Sequence, residues 1–246
     1  MSAVPTLDRA DDVFLLHLGA DGNAFTPELI AGLMELLEEV ADTPPPRALV
    51  TTATGKSWAL GLDLGWIEAN RADVDELVQA MHRLDARMLE LNVTTVAAIQ
   101  GHAYAGGALF ALAHDYRVMS ADRGFFCLPE IDGHIAFTPG MAALVRARLS
   151  PQVAHAALTS GRRYSGPEAI SAGIADALAE TEDVVARATE LAAALAAKDP
   201  ATLGRIKSNL HGAVLAVLRD ADTNCVQIAD FETALAVQEQ GAAAGN

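Results

Sequence analysis

Two glycine-containing loops follow apolar segments that read as strands. TGKSWALGLDLGW (54–66) comes after RALVTTA (47–53), and GHAYAGG (101–107) comes after TTVAAIQG (94–101). In an open α/β sheet, ligands bind beyond the carboxyl ends of the strands, and both loops lie at such ends. If the two strands are neighbours, one backbone N–H from each loop could point at a single oxygen. Such an oxyanion hole stabilises a developing negative charge by about 3 kcal/mol per donor.

Gly106 and Gly107 have a second interpretation. Two glycines before a helix also allow the helix to pack closely on a strand, and the sequence is equally consistent with packing and with binding. A phosphate-binding loop fits less well, because neither GxGxxG nor GxxxxGK[ST] occurs. ATGKS (53–57) matches only the last part of the second pattern and lacks its first glycine.

Glu130 is the residue best suited to proton transfer. It follows an apolar segment and a proline in CLPEIDGH (127–134), and Leu128 and Ile131 flank it. Partial burial raises the pKa of a carboxyl group towards neutrality, where a general base works best. An exposed glutamate at a strand end fits the same stretch. Asp132 is predicted to be a turn residue.

The remaining reactive side chains indicate no other chemistry. His102 and His134 lie near the loops in sequence, and we expect them to be structural. Cys127 and Cys225 lie in separate apolar segments, which favours free thiols. Neither CxxC nor HExxH occurs, and a nucleophile elbow is also missing from the sequence. We therefore expect no metal site.

Charge and hydropathy exclude two classes of partner. The 246 residues carry a formal net charge of −15, whereas binding to nucleic acid needs clustered Lys and Arg. Apolar runs stay shorter than the ~18 residues that a membrane span requires. The polar start MSAVPTLDRADD does not resemble a signal peptide, and the end GAAAGN matches no targeting signal. The sequence predicts a cytoplasmic protein with no nucleic-acid or membrane partner.

Strands and helices alternate through the first half of the chain. This order predicts an α/β fold with a mainly parallel sheet. From Pro139 onward the pattern predicts nearly continuous helix, so we expect the C-terminal part to be all-helical. The predicted strands are 12–19, 47–53, 94–101, 115–121 and 125–130, and the predicted helices are 27–42, 74–91 and one after Gly107.

Four segments together resemble the enoyl-CoA hydratase/isomerase (crotonase) family in order and spacing. The resemblance covers roughly residues 10–235 and implies a ββα spiral core over 1–190, with a helical trimerisation or capping region over 191–246. It also implies a homotrimer or hexamer that acts on acyl-CoA thioesters, with no cofactor beyond the CoA of the substrate. The segments are WALGLDL (58–64), AIQGHAYAGGALFALAHDYRVMSADRGFF (98–126), LPEIDGHIAFTPG (128–140) and LTSGRRYSGPEAISAGIAD (158–176).

The resemblance implies roles for individual residues. The N–H groups of Leu62 and Gly106 would hold the thioester oxygen, and Glu130 would be the catalytic carboxylate. Family members that hydrate a double bond are similar in carrying a second glutamate in the helix after the glycines, where this chain has Leu109. The pattern therefore looks most like isomerases that convert 3-enoyl-CoA to 2-enoyl-CoA, with Leu109 in an apolar wall around Glu130. A hydratase, thioesterase, decarboxylase or non-catalytic acyl-CoA-binding protein remains an alternative.

Substrate contacts are expected around the first donor, at Ala59, Gly61 and Asp63. Relatives often carry a basic residue three positions after that donor, where this chain has Gly65. We therefore expect other groups, including the backbone near Ala59, to contact the phosphates of CoA.

The cations expected to bind CoA are Lys56 and Lys207, which fit equally well as ordinary surface lysines. Ala105 replaces a glycine that is frequent in the family. An alanine is compatible with this position if its φ is negative.

Overall fold

The computed structural model describes residues 4–20 and 22–236. In chain order its strands are β1 (Thr6–Ala10), β2 (Val13–His17), β3 (Ala24–Phe25), β4 (Ala48–Thr52), β5 (Ser57–Ala59), β6 (Gly61–Leu62), β7 (Thr94–Ile99), β8 (His102–Tyr104), β9 (Tyr116–Ser120), β10 (Phe126–Cys127) and β11 (Ala177–Ala179). Its helices are α1 (Pro27–Asp42), α2 (Leu64–Ala69), α3 (Val74–Glu90), α4 (Gly106–Ala113), α5 (Pro139–Arg148), α6 (Pro151–Ser160), α7 (Gly166–Ser171), α8 (Val184–Leu195) and α9 (Pro200–Leu218). Short 3₁₀ turns occur at Arg71–Asp73, Thr181–Asp183 and Ile228–Phe231.

The main sheet has six strands in the order β1-β2-β4-β7-β9-β11. Only the β1–β2 pair is antiparallel, and the other neighbours run parallel. Every residue of β4 and β7 is buried, as expected for central strands of a parallel sheet covered on both faces. The predicted α/β fold with a mainly parallel sheet is confirmed.

A second, smaller sheet carries the loops singled out in the sequence. Its order is β10-β8-β5, and β3 and β6 form a separate parallel pair. β4 and β7 are neighbours in the main sheet, and the strands that follow them, β5 and β8, pair in the small one. The two glycine-containing loops therefore start from adjacent strands, which was the condition for their N–H groups to converge.

The sequence missed the shortest strands. The stretch predicted as a loop at 54–66 contains β5, β6 and the start of α2, and the part predicted as all-helical contains β11, which pairs with β9. Strands of two or three residues are too short to show a period of two, so only their tertiary partners define them.

The C-terminal part packs on the core as several elements. α9 packs against α3 and α5, and α8 packs across β4 and β7. The predicted boundary at 190/191 falls inside α8. Residues 232–236 are helical, whereas 237–246 of the predicted C-terminal region lie outside the described residues. Among the described residues, no helix combines the length and apolar character needed to cross a bilayer.

Candidate active site

The two loops meet at Gly61 and Gly106. A Cβ atom built on Gly61 would lie 2.8 Å from the backbone nitrogen of Gly106. One built on Gly106 would lie 3.3 Å from the Cα of Gly61 and 3.7 Å from the nitrogen of Leu62. Gly61 also has a φ of +94°, a conformation that glycine adopts at no steric cost. The bare backbone at both positions therefore lets the two proposed donors approach one another.

The N–H of Leu62 points away from its own sheet partner. Leu62 lies opposite Phe25 in the β3–β6 pair, and the N–H of Asp63 donates to the carbonyl oxygen of Phe25 at 3.0 Å. Successive N–H groups of a strand point to opposite sides. The Leu62 N–H therefore faces away from β3 and is available to a ligand on the other side.

The N–H of Gly106 lies at the start of α4, where the first backbone donors of a helix have no partner within it. The residue before it, Ala105, has no side chain that could accept a hydrogen bond from them. The positive end of the helix dipole adds to the attraction for a negative oxygen. Ala105 has a φ of +50°, so the condition of a negative φ is not met, and the position has a backbone conformation that favours glycine.

Gly107 provides the close packing that the sequence allowed as an alternative. A Cβ atom at Gly107 would lie 2.3 Å from the carbonyl oxygen of Ala59 in β5. The packing interpretation is confirmed for Gly107, and the binding interpretation stays a prediction for Gly106. Gly107 lets α4 lie on β5, and Gly106 exposes a donor beside Leu62.

Glu130 is held in a tight turn with its carboxyl group buried. Its carbonyl oxygen accepts a hydrogen bond from the backbone N–H of Ile135 at 2.9 Å. The backbone N–H of Asp132 donates to the carbonyl oxygen of Pro129, also at 2.9 Å. Glu130 is only 7% exposed, and its Oε2 has no hydrogen-bond partner among the described residues. Burial raises its pKa to about 7, because an apolar environment disfavours the charged form. A carboxyl group with this pKa can both take and return a proton near neutral pH.

Glu130 and the two proposed donors line one cavity of about 330 Å³. Its wall is mostly apolar, which suits an acyl chain. Asp132 is the second carboxyl group on the wall, but it is exposed. The lining residues are Leu60, Leu62, Leu64, Met81, Tyr104, Ala105, Gly106, Pro129, Glu130, Asp132, Gly133, Ile135, Met141, Phe231 and Ala234.

Comparison with known proteins shows which family this arrangement belongs to. A model of the enoyl-CoA hydratase/isomerase family matches residues 13–234, which include both loops and the turn of Glu130. The chain belongs to the enoyl-CoA hydratase/isomerase family. It is therefore an enzyme of the crotonase type, and the fold implied by the resemblance is confirmed.

Relatives within the family include isomerases of Arabidopsis thaliana. The chain is 37% identical over 206 residues to one named enoyl-CoA delta isomerase 2, peroxisomal, over 78% of this chain and 85% of that protein. It is 36% identical over 202 residues to one named enoyl-CoA delta isomerase 3, with the same coverage. Among solved structures, an apo enoyl-CoA isomerase from Mycobacterium tuberculosis superposes with a TM-score of 0.82 at 24% identity. That match covers 90% of this chain and 96% of the other and shows the shared fold.

The structure gives packing or capping contacts to three residues that the sequence predicted to contact substrate. Ala59 is fully buried, with its carbonyl oxygen against Gly107. The side chain of Asp63 caps α2 by accepting from the N–H of Trp66 at 2.9 Å. Leu109 is 1% exposed and packs in the hydrophobic core, outside the cavity lining. Ala59 and Asp63 therefore shape the first loop, and Leu109 does not form part of the substrate wall.

The prediction that Lys207 binds CoA was wrong. Its side chain is buried, and its Nζ lies 2.6 Å from a carboxylate oxygen of Asp115 and donates to the carbonyl oxygen of Val93 at 2.7 Å. An ammonium group with these partners is not available to a phosphate. Lys56, by contrast, is exposed in the loop that precedes β5.

Sequence reasoning missed most of the apolar wall. Leu60 and Leu64 flank the predicted donor Leu62, so their place on the wall follows from the first loop. Met81 of α3, Met141 of α5 and Phe231 come from distant parts of the chain. Their spacing in sequence shows only that they are buried, and the fold is needed to show that they face one cavity.

Proposed function

We propose that this chain converts 3-enoyl-CoA thioesters to 2-enoyl-CoA thioesters by a proton shuttle at Glu130. The observation that carries this proposal is the placement of a buried carboxyl group, whose Oε2 has no hydrogen-bond partner among the described residues, in the same cavity as Leu62 and Gly106. A base and two amide donors that face one apolar space suit abstraction of a proton next to a thioester carbonyl.

The reaction needs two proton transfers and one stabilised anion. The carboxylate of Glu130 takes a proton from C2, and the electron pair of that C–H bond passes into the conjugated dienolate. The N–H groups of Leu62 and Gly106 stabilise the negative charge on the thioester oxygen. The protonated carboxyl group then returns the proton to C4, and the double bond forms between C2 and C3. Atoms and charge balance without a further reactant.

The surroundings of Glu130 favour isomerisation over hydration. Hydration needs a second group to hold and activate water. The resemblance to hydrating family members implies a glutamate at the position of Leu109, which in this chain is apolar and packs in the core outside the cavity lining. Asp132 is exposed to solvent at the cavity wall, whereas the carboxyl group of Glu130 is buried. The names of the two Arabidopsis relatives, both delta isomerases, support the same choice. A relative from Thermus thermophilus at 29% identity is named a putative enoyl-CoA hydratase, which makes hydration the second candidate.

A direct assay separates the candidates. The protein is incubated with 3-hexenoyl-CoA and, separately, with 2-hexenoyl-CoA in water, and the products are resolved by chromatography. We expect conversion of the first substrate and no hydration of the second. Hydration of 2-hexenoyl-CoA at a comparable rate would reject the isomerase proposal. Binding of both without turnover would favour an acyl-CoA-binding protein.

Assembly, location and cofactor use are further proposals that rest on the family resemblance. We propose a homotrimer or hexamer, a cytoplasmic location and a reaction that uses no cofactor besides the CoA of the substrate. Sedimentation of the purified protein tests the first of these, and a monomer at micromolar concentration would contradict it. Full activity after exhaustive dialysis against chelator tests the last.

A further inference from the structure

The side chain of Asn23 is buried against the strand that leads into the first loop. Asn23 lies directly before β3 and is 3% exposed. Its Nδ2 donates to the carbonyl oxygen of Trp58 in β5 at 2.9 Å, and a longer contact of 3.4 Å reaches the carbonyl oxygen of Ser57. The amide therefore ties the chain before β3 to β5.

Trp58 is the extra residue of an irregularity in the small sheet. Ser57 lies opposite His102 and Ala59 lies opposite Ala103, so β5 advances by two residues where β8 advances by one. An extra residue of this kind is left out of the ladder, and it bends its strand locally. The buried amide supplies a donor to the carbonyl group of this one residue. It therefore stabilises β5 at the point where pairing with β8 is interrupted.

The residues after Asn23 hold the other end of the first loop. β3 pairs in parallel with β6, so that Phe25 lies opposite Leu62. The carbonyl oxygen of Phe25 also accepts a hydrogen bond from the N–H of Asp63 at 3.0 Å. Residues 23–25 thus hold the loop at two points, by a side chain at β5 and by backbone pairing at β6. The proposed donor Leu62 lies at the second of these points.

Asparagine suits this position for two reasons. Asn23 has a φ of +51°, in the left-handed region that asparagine enters more readily than most residues with a side chain. The amide also carries two N–H donors. Its Oδ1 has no hydrogen-bond partner among the described residues, so the side chain contributes to the structure through its donors.

Trp58 connects this arrangement to the helix of the second donor. Its ring is fully buried and stacks on the ring of Phe110 in α4, with 5.9 Å between the centroids. Phe25 meets the same Phe110 ring edge-on at 5.7 Å. Aromatic pairs at these distances pack in preferred orientations. Because α4 begins at Gly106, the strands held by Asn23 are packed on the helix that presents the second N–H.

We propose that Asn23 is a positioning residue for the oxyanion hole, which fixes the N–H of Leu62 relative to the N–H of Gly106 by its hydrogen bond to Trp58. This inference rests on the proposed function. Asn23 is not among the residues that line the cavity, so it acts through the strand that it holds. Two donors stabilise one developing charge only when both lie within hydrogen-bond distance of the same oxygen.

The kinetic test removes the amide and keeps the backbone. Asn23→Gly deletes the donor, and glycine adopts the left-handed conformation at no steric cost. The control is Gln100→Met, which removes another buried amide that donates to β5, at the carbonyl oxygen of Ser57 at 3.2 Å. With 3-hexenoyl-CoA we expect kcat to fall about tenfold or more in Asn23→Gly, with KM within about twofold. In Gln100→Met both constants should stay within about twofold of those of the unaltered protein.

Infrared spectroscopy of a bound thioester reports on the two donors directly. Hexanoyl-CoA labelled with ¹³C at the carbonyl carbon has no double bond to move, and hydrogen bonds to its carbonyl oxygen lower the stretching frequency. We expect this lowering in the unaltered protein, in Gln100→Met and in Glu130→Gln, and a clearly smaller lowering in Asn23→Gly. An unchanged frequency and kcat in folded Asn23→Gly, or an equal effect in Gln100→Met, would overturn the proposal.

A second variant covers the case in which Asn23→Gly does not fold, as judged by circular dichroism. Asn23→Asp keeps the shape of the side chain and loses the donor when the carboxyl group is ionised, so the same kinetic and infrared changes are expected. A folded Asn23→Asp with the kcat and carbonyl frequency of the unaltered protein would overturn the proposal.

The positioning role and the proposed function fail in different ways. If the unaltered protein lowers the carbonyl frequency of hexanoyl-CoA but does not convert 3-hexenoyl-CoA, the proposed function fails, and the frequency in Asn23→Gly still tests the positioning role. If the unaltered protein binds hexanoyl-CoA without lowering the frequency, the two N–H groups do not hold the thioester oxygen, and the positioning role is overturned.

Discussion

Gly61 lies directly against the amide nitrogen of Gly106, and a methyl group on Gly61 would come within 2.8 Å of it. These two glycines lie 45 residues apart, and they meet because β5 and β8 pair in the small sheet. The distance is shorter than the closest contact that real Cβ atoms make, so an alanine at 61 must push the second loop away. The geometry of the proposed oxyanion hole therefore depends on a residue that itself supplies no donor.

Gly61→Ala should remove activity at a modest cost in stability. Displacement of the Gly106 N–H by even part of an ångström costs much of the ~3 kcal/mol that a donor contributes, so we expect kcat to fall about 100-fold or more. Gly173→Ala is the matched control. Gly173 also has a positive φ, +71°, but nothing lies within 4 Å of the position of its Cβ. Both variants should lose about 1–2 kcal/mol from the left-handed backbone, and only Gly61→Ala should lose activity. Equal activity in the two folded variants would contradict the crowding argument.

Glu130→Gln should abolish isomerisation of 3-hexenoyl-CoA and leave the fold unchanged. The amide has nearly the same shape as the carboxyl group but cannot take a proton from C2. Asp132→Asn makes the same chemical change on the same cavity wall, and we expect it to retain far more of the activity because Asp132 is exposed. The two variants are compared by steady-state kinetics and by circular dichroism. Activity of Glu130→Gln within about tenfold of the unaltered enzyme, or ~1.4 kcal/mol in the barrier, would exclude the shuttle.

The sequence could predict those residues of the candidate site that belong to a recognisable local pattern. Gly106 and Glu130 lie in local patterns, a glycine pair before a helix and an acid after an apolar strand, and the structure brings both to one cavity. Lys207 could not be placed in this way. It lies on α9 and pairs with Asp115, 92 residues earlier in the chain. Its spacing is typical of a surface helix, and only tertiary packing buries it.

The raised pKa of Glu130 gives the protein two linked pH dependences. Because the base must be ionised, kcat/KM should fall about tenfold per pH unit below pH 7 and level off above it. The stability of the folded protein changes with pH in the opposite direction to kcat/KM. The folded-state pKa of about 7 lies above the ordinary value of 4.5, so the folded state binds the proton more tightly and loses stability as the pH rises from 4.5 through 7.

Glu130→Gln tests this linkage by removing the ionisation. Above pH 7 the variant should be more stable than the unaltered protein by about 3 kcal/mol, and the difference should vanish near pH 4.5. Urea denaturation at several pH values measures it. A difference that does not change with pH would show that the carboxyl group is not desolvated in the folded protein.

Lys207→Met should destabilise the protein without affecting CoA binding. Removal of the buried ammonium group leaves the partly buried carboxylate of Asp115 without its ion-pair partner and with the N–H of Thr95 as a remaining donor at 2.9 Å, and we expect a loss of about 3 kcal/mol in the free energy of unfolding. Lys198→Met, an exposed lysine near the same helix, should cost less than about 0.5 kcal/mol. The KM for 3-hexenoyl-CoA should be the same in both at a temperature where both are folded. A rise of the KM in Lys207→Met alone would restore the sequence-based assignment.

Leu109→Glu tests whether an acid at this position is enough to make a hydratase. Leu109 is 1% exposed within the core, and an unpaired carboxylate buried there costs several kcal/mol or becomes protonated. We expect a strongly destabilised protein that adds no water to 2-hexenoyl-CoA. Leu109→Met, which conserves volume, should cost less than about 1.5 kcal/mol and keep the isomerase activity. Leu60→Glu places the same charge on the cavity wall at a side chain that is 40% exposed, and it should fold normally. A stable Leu109→Glu variant that hydrates 2-hexenoyl-CoA would show that residue 109 reaches the substrate, and that this one side chain separates the two reactions.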